Sequence, residues 1–263
     1  MRLPHPRHPS LRLLGAIITC SAVVQTAVAT APAALQGRWE VIQVAVDHRD
    51  QNHWQYFPDD PRLLGRQLVV DDAGIRLDDG SRSCNSPSFA ALPAGKLQRF
   101  ISTRFPRPAS FDTPTQPTLA DFDIALPDTT VSPLQIRCAT EASPWNGAWL
   151  VATAAHHLLT NYDGSGYVLV LRRLGTHEPI RASFACAKAH NASEQTICTS
   201  ATLAGYDRSV AAAYRFALQR SGGDTDSLRQ AQRKWIESRD ACGTDADCLA
   251  ASMRNRTDQL MQQ

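Results

Sequence analysis

Seven cysteines are distributed along 263 residues in a pattern that restricts the fold before any strand or helix is assigned. Cys20 stands alone in an apolar N-terminal run. Cys84 and Cys138 are widely spaced, and Cys186, Cys198, Cys242 and Cys248 crowd the last third. A zinc site usually needs a pair at Cys-x2-4-Cys spacing, and a redox helix needs Cys-x-x-Cys; the tail offers Cys-x11-Cys and Cys-x5-Cys. The spacing points to disulfides, with no metal and no cofactor expected. Six cysteines allow fifteen pairings. Their separation along the chain suggests Cys84 with Cys138. In the tail it leaves open two local bridges, Cys186 with Cys198 and Cys242 with Cys248, or one across the helices, such as Cys198 with Cys242.

Disulfides require an oxidising compartment, and the N-terminus supplies a route to one. Arg2, Arg7 and Arg12 precede an uncharged apolar run from Leu13 to Val24, followed by Ala27-Val28-Ala29. This is a basic region, an apolar region of secretory length and a small-x-small cleavage site, so residues 1–29 read as a signal peptide. The run is shorter than the roughly 20 residues of a bilayer span, and no transmembrane segment is expected in the mature chain. Lipidation at Cys20 is the alternative, but Ile18-Thr19 lacks the small residue that usually precedes a lipidated cysteine. Cleavage near Ala29 places the protein in the periplasm or outside the cell. It also turns 27 basic residues into 24 against 25 acidic ones, so the formal charge falls from +2 to −1. A near-neutral chain lacks the basic surface that nucleic acid demands, and no nucleic-acid partner is expected.

The rest of the sequence divides in two, an α+β organisation. Residues 30–175 read as an antiparallel β-barrel or sandwich: LQGRWEVIQVAVD alternates polar and apolar residues, and RQLVVDDAGIRLDDG holds two apolar runs around Asp71-Asp72-Ala73-Gly74. That hairpin loop is expected to be slightly longer than two residues. Further strands are expected over 118–126, 133–138, 148–154 and 166–173, with Asn161 to Gly166 as a hairpin turn. RFPRPASFDTPTQPTL is too proline-rich for a central strand and reads as a surface excursion. Residues 176–263 change character to alanine, glutamine and arginine. Helices are expected over 200–220, 226–240 and 246–260, forming a disulfide-stapled helical hairpin or bundle. In the second, Leu228, Ala231, Gln232, Trp235 and Arg239 share a face.

No catalytic constellation stands out, and the chain is read as a non-enzyme. His156 and His157 lie near Asp163 and Ser165, but Gly164-Ser165-Gly166-Tyr167 is not the Gly-x-Ser-x-Gly of a nucleophile elbow. Asp163 and its glycine neighbours supply too few oxygens for calcium.

The tail carries Phe184-Ala185-Cys186-Ala187-Lys188-Ala189, then Glu194, Ile197-Cys198, Leu203, Tyr206-Asp207 and Tyr214. Gln232, Trp235, Arg239-Asp240, Cys242 and Cys248-Leu249 follow. In order and spacing, residues 182–260 resemble the lysozyme-inhibitor LprI-like domain of exported bacterial proteins. The resemblance implies a helical, disulfide-linked, non-catalytic domain whose partner is a lysozyme or another envelope hydrolase. It implies a periplasmic inhibitor of a lysozyme-type muramidase, or an immunity protein against a competitor's toxin. Trp235 and Arg239 are candidate partner-binding residues. Ser165, Gly166 and Tyr167 join them, because this turn resembles the Ser-Gly loop with a nearby tyrosine that unrelated periplasmic lysozyme inhibitors insert into the enzyme. The Gly37-Arg38-Trp39 opening resembles lipocalin-like barrels, so the alternative is an envelope structural or small-ligand-binding protein with an accessory helical tail.

Overall fold

The computed structural model describes residues 1, 31–50, 55–78, 83–109, 114–154, 156–162, 166–223 and 225–262. Residues 2–29 of the expected signal, Cys20 among them, lie outside the described residues, as do Asp163, Gly164 and Ser165.

The first part is one curled antiparallel sheet. In chain order its strands are β1 (Gly37–Val46), β2 (Gln67–Asp71), β3 (Gly74–Leu77), β4 (Ser83–Asn85), β5 (Ser88–Ala91), β8 (Leu134–Arg137), β9 (Trp149–Ala152), β10 (His157–Thr160) and β11 (Tyr167–Arg173). Between β5 and β8 come a two-stranded ribbon, β6 (Gly95–Lys96) with β7 (Thr130–Val131), and the helix α1 (Leu97–Arg104). The nine-stranded order is β4-β3-β2-β1-β11-β10-β9-β8-β5. Its two edges, β4 and β5, are separated by only Ser86 and Pro87 in the chain, which spans at most about 10 Å. The sheet must therefore curl until its ends approach, and the Cys84–Cys138 bridge fastens β4 to the end of β8.

Curling gives the sheet an inner and an outer face, and a bulge in β1 serves both. The pairing of β1 with β11 shifts register between Val41 and Gln43, leaving Ile42 39% exposed. Before the bulge Trp39 and Val41 point inward; after it Val44 and Val46 do, and Ala45 joins the outer core. The interior is filled by side chains that include Trp39, Trp145, Tyr162 and Tyr167. The outer face of β9 to β11 is covered by Leu97, Phe100 and Ile101 of α1 and by Leu119, Phe122 and Ile124. At the start of β1, Gly37 has φ +131°, and a Cβ there would lie 2.8 Å from the Arg173 guanidinium. That guanidinium stacks 4.2 Å from the Trp39 ring, while the Trp39 indole N–H donates to the Leu35 carbonyl at 2.9 Å.

Residues 118–126, expected as a strand, form a 3-10 turn at Ala120–Phe122. The cause is local: the Asp121 carboxylate accepts from the Thr118 amide at 2.8 Å, and the Asp121 amide donates to the Thr118 hydroxyl at 3.2 Å. This reciprocal pair satisfies the backbone without a strand partner. The 67–77 hairpin is also tighter than expected, since Asp71 pairs with Gly74 across a loop of only Asp72 and Ala73.

The second part contains α2 (Ala192–Thr199), α3 (Ala201–Arg220), α4 (Asp226–Asp240) and α5 (Ala246–Met261). Ser200 caps α3 by accepting from the Leu203 amide, and Asp245 caps α5 by accepting from the Asp247 and Cys248 amides. Its core comprises residues such as Leu203, Tyr206, Val210, Leu249, Met253 and Leu260. The tail bridges are local, Cys186–Cys198 and Cys242–Cys248. None of the described helices is long and apolar enough to cross a membrane.

Candidate functional site

Five polar side chains, from α2 and its cap, α3 and α4, meet near the Cys242–Cys248 corner. Arg239, at the end of α4 and 5% exposed, donates from Nε and one terminal nitrogen to Asp240 at 2.9 and 2.6 Å. Its other terminal nitrogen lies 3.8 Å from the buried Asp207 of α3. Asp207 also accepts from the Ser183 amide at 2.5 Å, and Asp240 accepts from Asn191, the residue that caps α2, at 3.0 Å. Ser193 closes the network with bonds to the carbonyls of Asp240 and Gly243, both at 3.1 Å. The arginine sits 5.5 Å from the Trp235 ring. The structure therefore brings Trp235 and Arg239 together, but with the guanidinium turned inward to Asp207 of α3 and to Asp240, which in turn holds the α2 cap.

Of the other sequence-derived candidates, Tyr167 belongs to the sheet. Tyr167 begins β11 with its ring in the sheet interior and its hydroxyl bonded to the Tyr162 carbonyl, so the phenol is committed inward. Gly166 is exposed beside it, and Ser165 lies outside the described residues. His156 is exposed in a left-handed conformation, φ 59°, and His157 is half-buried on β10.

The surface the tail does present is the outward side of α4. Of its 15 residues only Leu228 and Arg239 are buried, while Gln232 and Trp235 are half-buried. Positions 228, 232, 235 and 239 share the inward stripe, which turns Arg229, Arg233 and Ile236 outward, with Lys234 and Glu237 beside them. Ile236 is 37% exposed, a large apolar side chain among charges. Arg229 pairs with Asp226 at 3.4 Å, whereas Arg233 and Lys234 have no partner among the described residues. The stripe is legible in the sequence and its reverse is not; Ile236, three residues after Arg233, was the available signal.

The helical part rests on the sheet through a polar seam. Glu40 of β1 accepts from Arg172 of β11 and from Arg208 of α3. The Arg66 guanidinium lies 3.4 Å from the Tyr206 ring and 3.6 Å from Asp78. Gly205 of α3 meets the backbone of Gly65 so closely that an added Cβ would stand 2.9 Å from its carbonyl oxygen. A cavity of about 310 Å³ opens there, lined in part by Tyr56, Arg62, Arg66, Tyr206, Arg254 and Asp258. Burial raises the Asp258 carboxyl pKa; Arg62 opposes that rise and Asp60 adds to it.

No curated protein and no solved structure matches the chain. Its C-terminal third, residues 186–260, is matched by the family model described as Lysozyme inhibitor LprI.

Proposed function

We propose that the protein is an exported, non-enzymatic inhibitor of a lysozyme-type muramidase, and that the outward side of α4 meets the enzyme. The observation that carries this reading is the match of residues 186–260 to an inhibitor family. The three disulfides suit a chain that folds in an oxidising compartment, consistent with residues 1–29 as a signal and with a periplasmic or secreted site of action. In a periplasm it would protect the cell wall, either from a host enzyme or as an immunity protein against a competitor's toxin.

A glycosidase of this class holds two carboxylates across its cleft. The complementary surface is cationic with an apolar centre, and α4 supplies Arg233 and Lys234 beside Ile236, with Trp235 behind. The lipocalin-like alternative gains no support from the sheet interior, which Trp39, Trp145, Tyr162 and Tyr167 help to fill.

The test is peptidoglycan lysis by goose-, chicken- and phage-type lysozymes titrated with the full mature chain. Stoichiometric inhibition of at least one is expected, and a variant carrying Arg233→Glu and Lys234→Glu should inhibit at least tenfold less well with an unchanged melting temperature. If none of the three enzymes is inhibited, the muramidase reading is wrong. Inhibition indifferent to charge reversal would remove α4 from the contact and return attention to the loop around Ser165 and Gly166.

A further inference from the structure

On the seam, away from the α4 surface, a second cavity of about 580 Å³ opens between the starts of β1 and β2, the end of β11, the 174–181 connection and the start of α3. Its volume falls within the range of small-molecule sites. Four arginines line it, Arg38, Arg172, Arg181 and Arg208, against two carboxylates, Glu40 and Glu178.

The pairing is uneven. Glu40 accepts from Arg172 and Arg208, and Glu178 accepts from the other side of Arg172. Both acids are thus engaged by Arg172 and Arg208. Among the described residues Arg38 bonds the neutral amide of Gln67, at 2.5 Å, and no carboxylate. Arg181 has its carbonyl bonded to Arg208, while its own guanidinium bonds no carboxylate among the described residues. The cavity therefore has a formal excess of two positive charges, carried by guanidiniums on opposite sides of the seam, one on the sheet and one on the connection to the helices. The hydroxyls of Ser200 and Thr202 also line it.

We propose that this cavity binds a small molecule through an oxyanion, a carboxylate or phosphate held between Arg38 and Arg181, and that the bound anion braces the helical part on the sheet. Guanidinium forks match both groups in geometry, and a ligand bonded to both walls favours the docked arrangement. The proposal is independent of hydrolase inhibition.

Thermal unfolding of the full chain tests it, with inorganic phosphate, N-acetylmuramic acid as a carboxylate sugar, uncharged N-acetylglucosamine, and sodium chloride at matched ionic strength. Phosphate or N-acetylmuramic acid should raise the melting temperature by ~2–4 °C at about ten times its Kd, and the other two should not. The arm that responds identifies the group recognised. The double variant Arg38→Ala with Arg181→Ala removes no carboxylate's hydrogen-bonded partner, since Glu178, which feels the Arg181 charge, keeps Arg172, so it should fold and lose the shift. Calorimetric titration of the wild type should give one site per chain. An equal shift with chloride, an equal shift in the double variant, or no heat from either anion would each overturn the proposal.

Discussion

Arg107 shows how much one buried cation can organise. It donates to both oxygens of Asp47 at 2.5 and 2.8 Å and lies 2.8 Å from Asp121, tying the proline-rich excursion to the end of β1. Burial pushes the Asp121 carboxyl pKa upward, but bonds from the Thr118 amide, Arg107 and the Thr118 hydroxyl outweigh that and bring it down to about 2. A depressed carboxylate contributes stability that is full above its ordinary value near 4 and is lost as pH falls through about 2. Arg107→Met strands Asp47 and leaves Asp121 with the exposed Arg49, 3.2 Å away, as its cation, and should cost about 3–5 kcal/mol at pH 7. Urea titrations at pH 7 and pH 2.5 should show the deficit shrinking in acid; a deficit equal at both would refute the ionic account. Arg239 and Arg256 make a sharper contrast, both being 5% exposed. Among the described residues Arg256 bonds two glutamines, Gln232 at 2.9 Å and Gln259 at 3.5 Å, and burial lowers its pKa. Arg256→Met should be neutral or mildly stabilising, whereas Arg239→Met leaves Asp207 buried with little but the Ser183 amide and should cost about 3–5 kcal/mol. Equal losses in chemical denaturation would show that the carboxylate partners do not set the cost.

Helices α3, α4 and α5 could be read from the sequence because their apolar positions recur at helical spacing and Ser200 or Ser221-Gly222-Gly223 punctuates them. The eight-residue helix α1 could not, because two turns give too few apolar repeats to stand above background, and α2 is recognisable only by its start, the Asn191 cap and Ser193-Glu194-Gln195. The missed strand at 118–126 fails for the opposite reason, because Leu119, Phe122 and Ile124 are apolar and buried while Thr118 and Asp121 fold the backbone into a turn. At the candidate site, Trp235 and Arg239 were visible on one stripe, but the pairing of Arg239 with Asp207, some 30 residues earlier, was not, since a buried counter-ion leaves no periodic mark. The cysteines could be read in number, and the structure resolves the open pairing. Chain entropy separates the bridges: Cys242–Cys248 spans six positions and Cys84–Cys138 spans 54. Replacing both cysteines of each pair by serine should cost about 2 kcal/mol for the corner and about 4 kcal/mol for the sheet closure. Melting curves of the two double variants check the ranking. A corner variant that melts like wild type would mean that α4 and α5 are held by their helix contacts alone.

The whole molecule is held together across a seam that is mostly polar, and this makes the two parts separable in energy although they touch. Tyr206 packs under Arg66, Phe57 meets Phe216 at 5.5 Å, and Ser209 donates to the Leu64 carbonyl at 3.3 Å. Glu40, 9% exposed, bonds guanidiniums from both parts, gripped by Arg172 from the sheet and Arg208 from α3. Glu40→Gln keeps the shape and removes the charge. Arg172 retains Glu178, but Arg208 is left with the Arg181 carbonyl, so docking should weaken by about 1–3 kcal/mol, toward the lower end because both arginines are about a third exposed. Trp39, Trp145 and Trp149 report on the sheet and Trp235 on the helices, so fluorescence of single-tryptophan variants can follow each part separately. In the Glu40→Gln protein the Trp235 transition should move to lower temperature than that of the sheet tryptophans, and added salt should change the gap less than in wild type. Coincident transitions in the variant would mean that apolar contacts such as Phe57 on Phe216 carry the docking. Inhibition separates the same alternatives from the functional side: if α4 alone meets the hydrolase, loosening the seam leaves potency unchanged at temperatures where the helices stay folded. A matching fall in potency would make the sheet part of the contact surface.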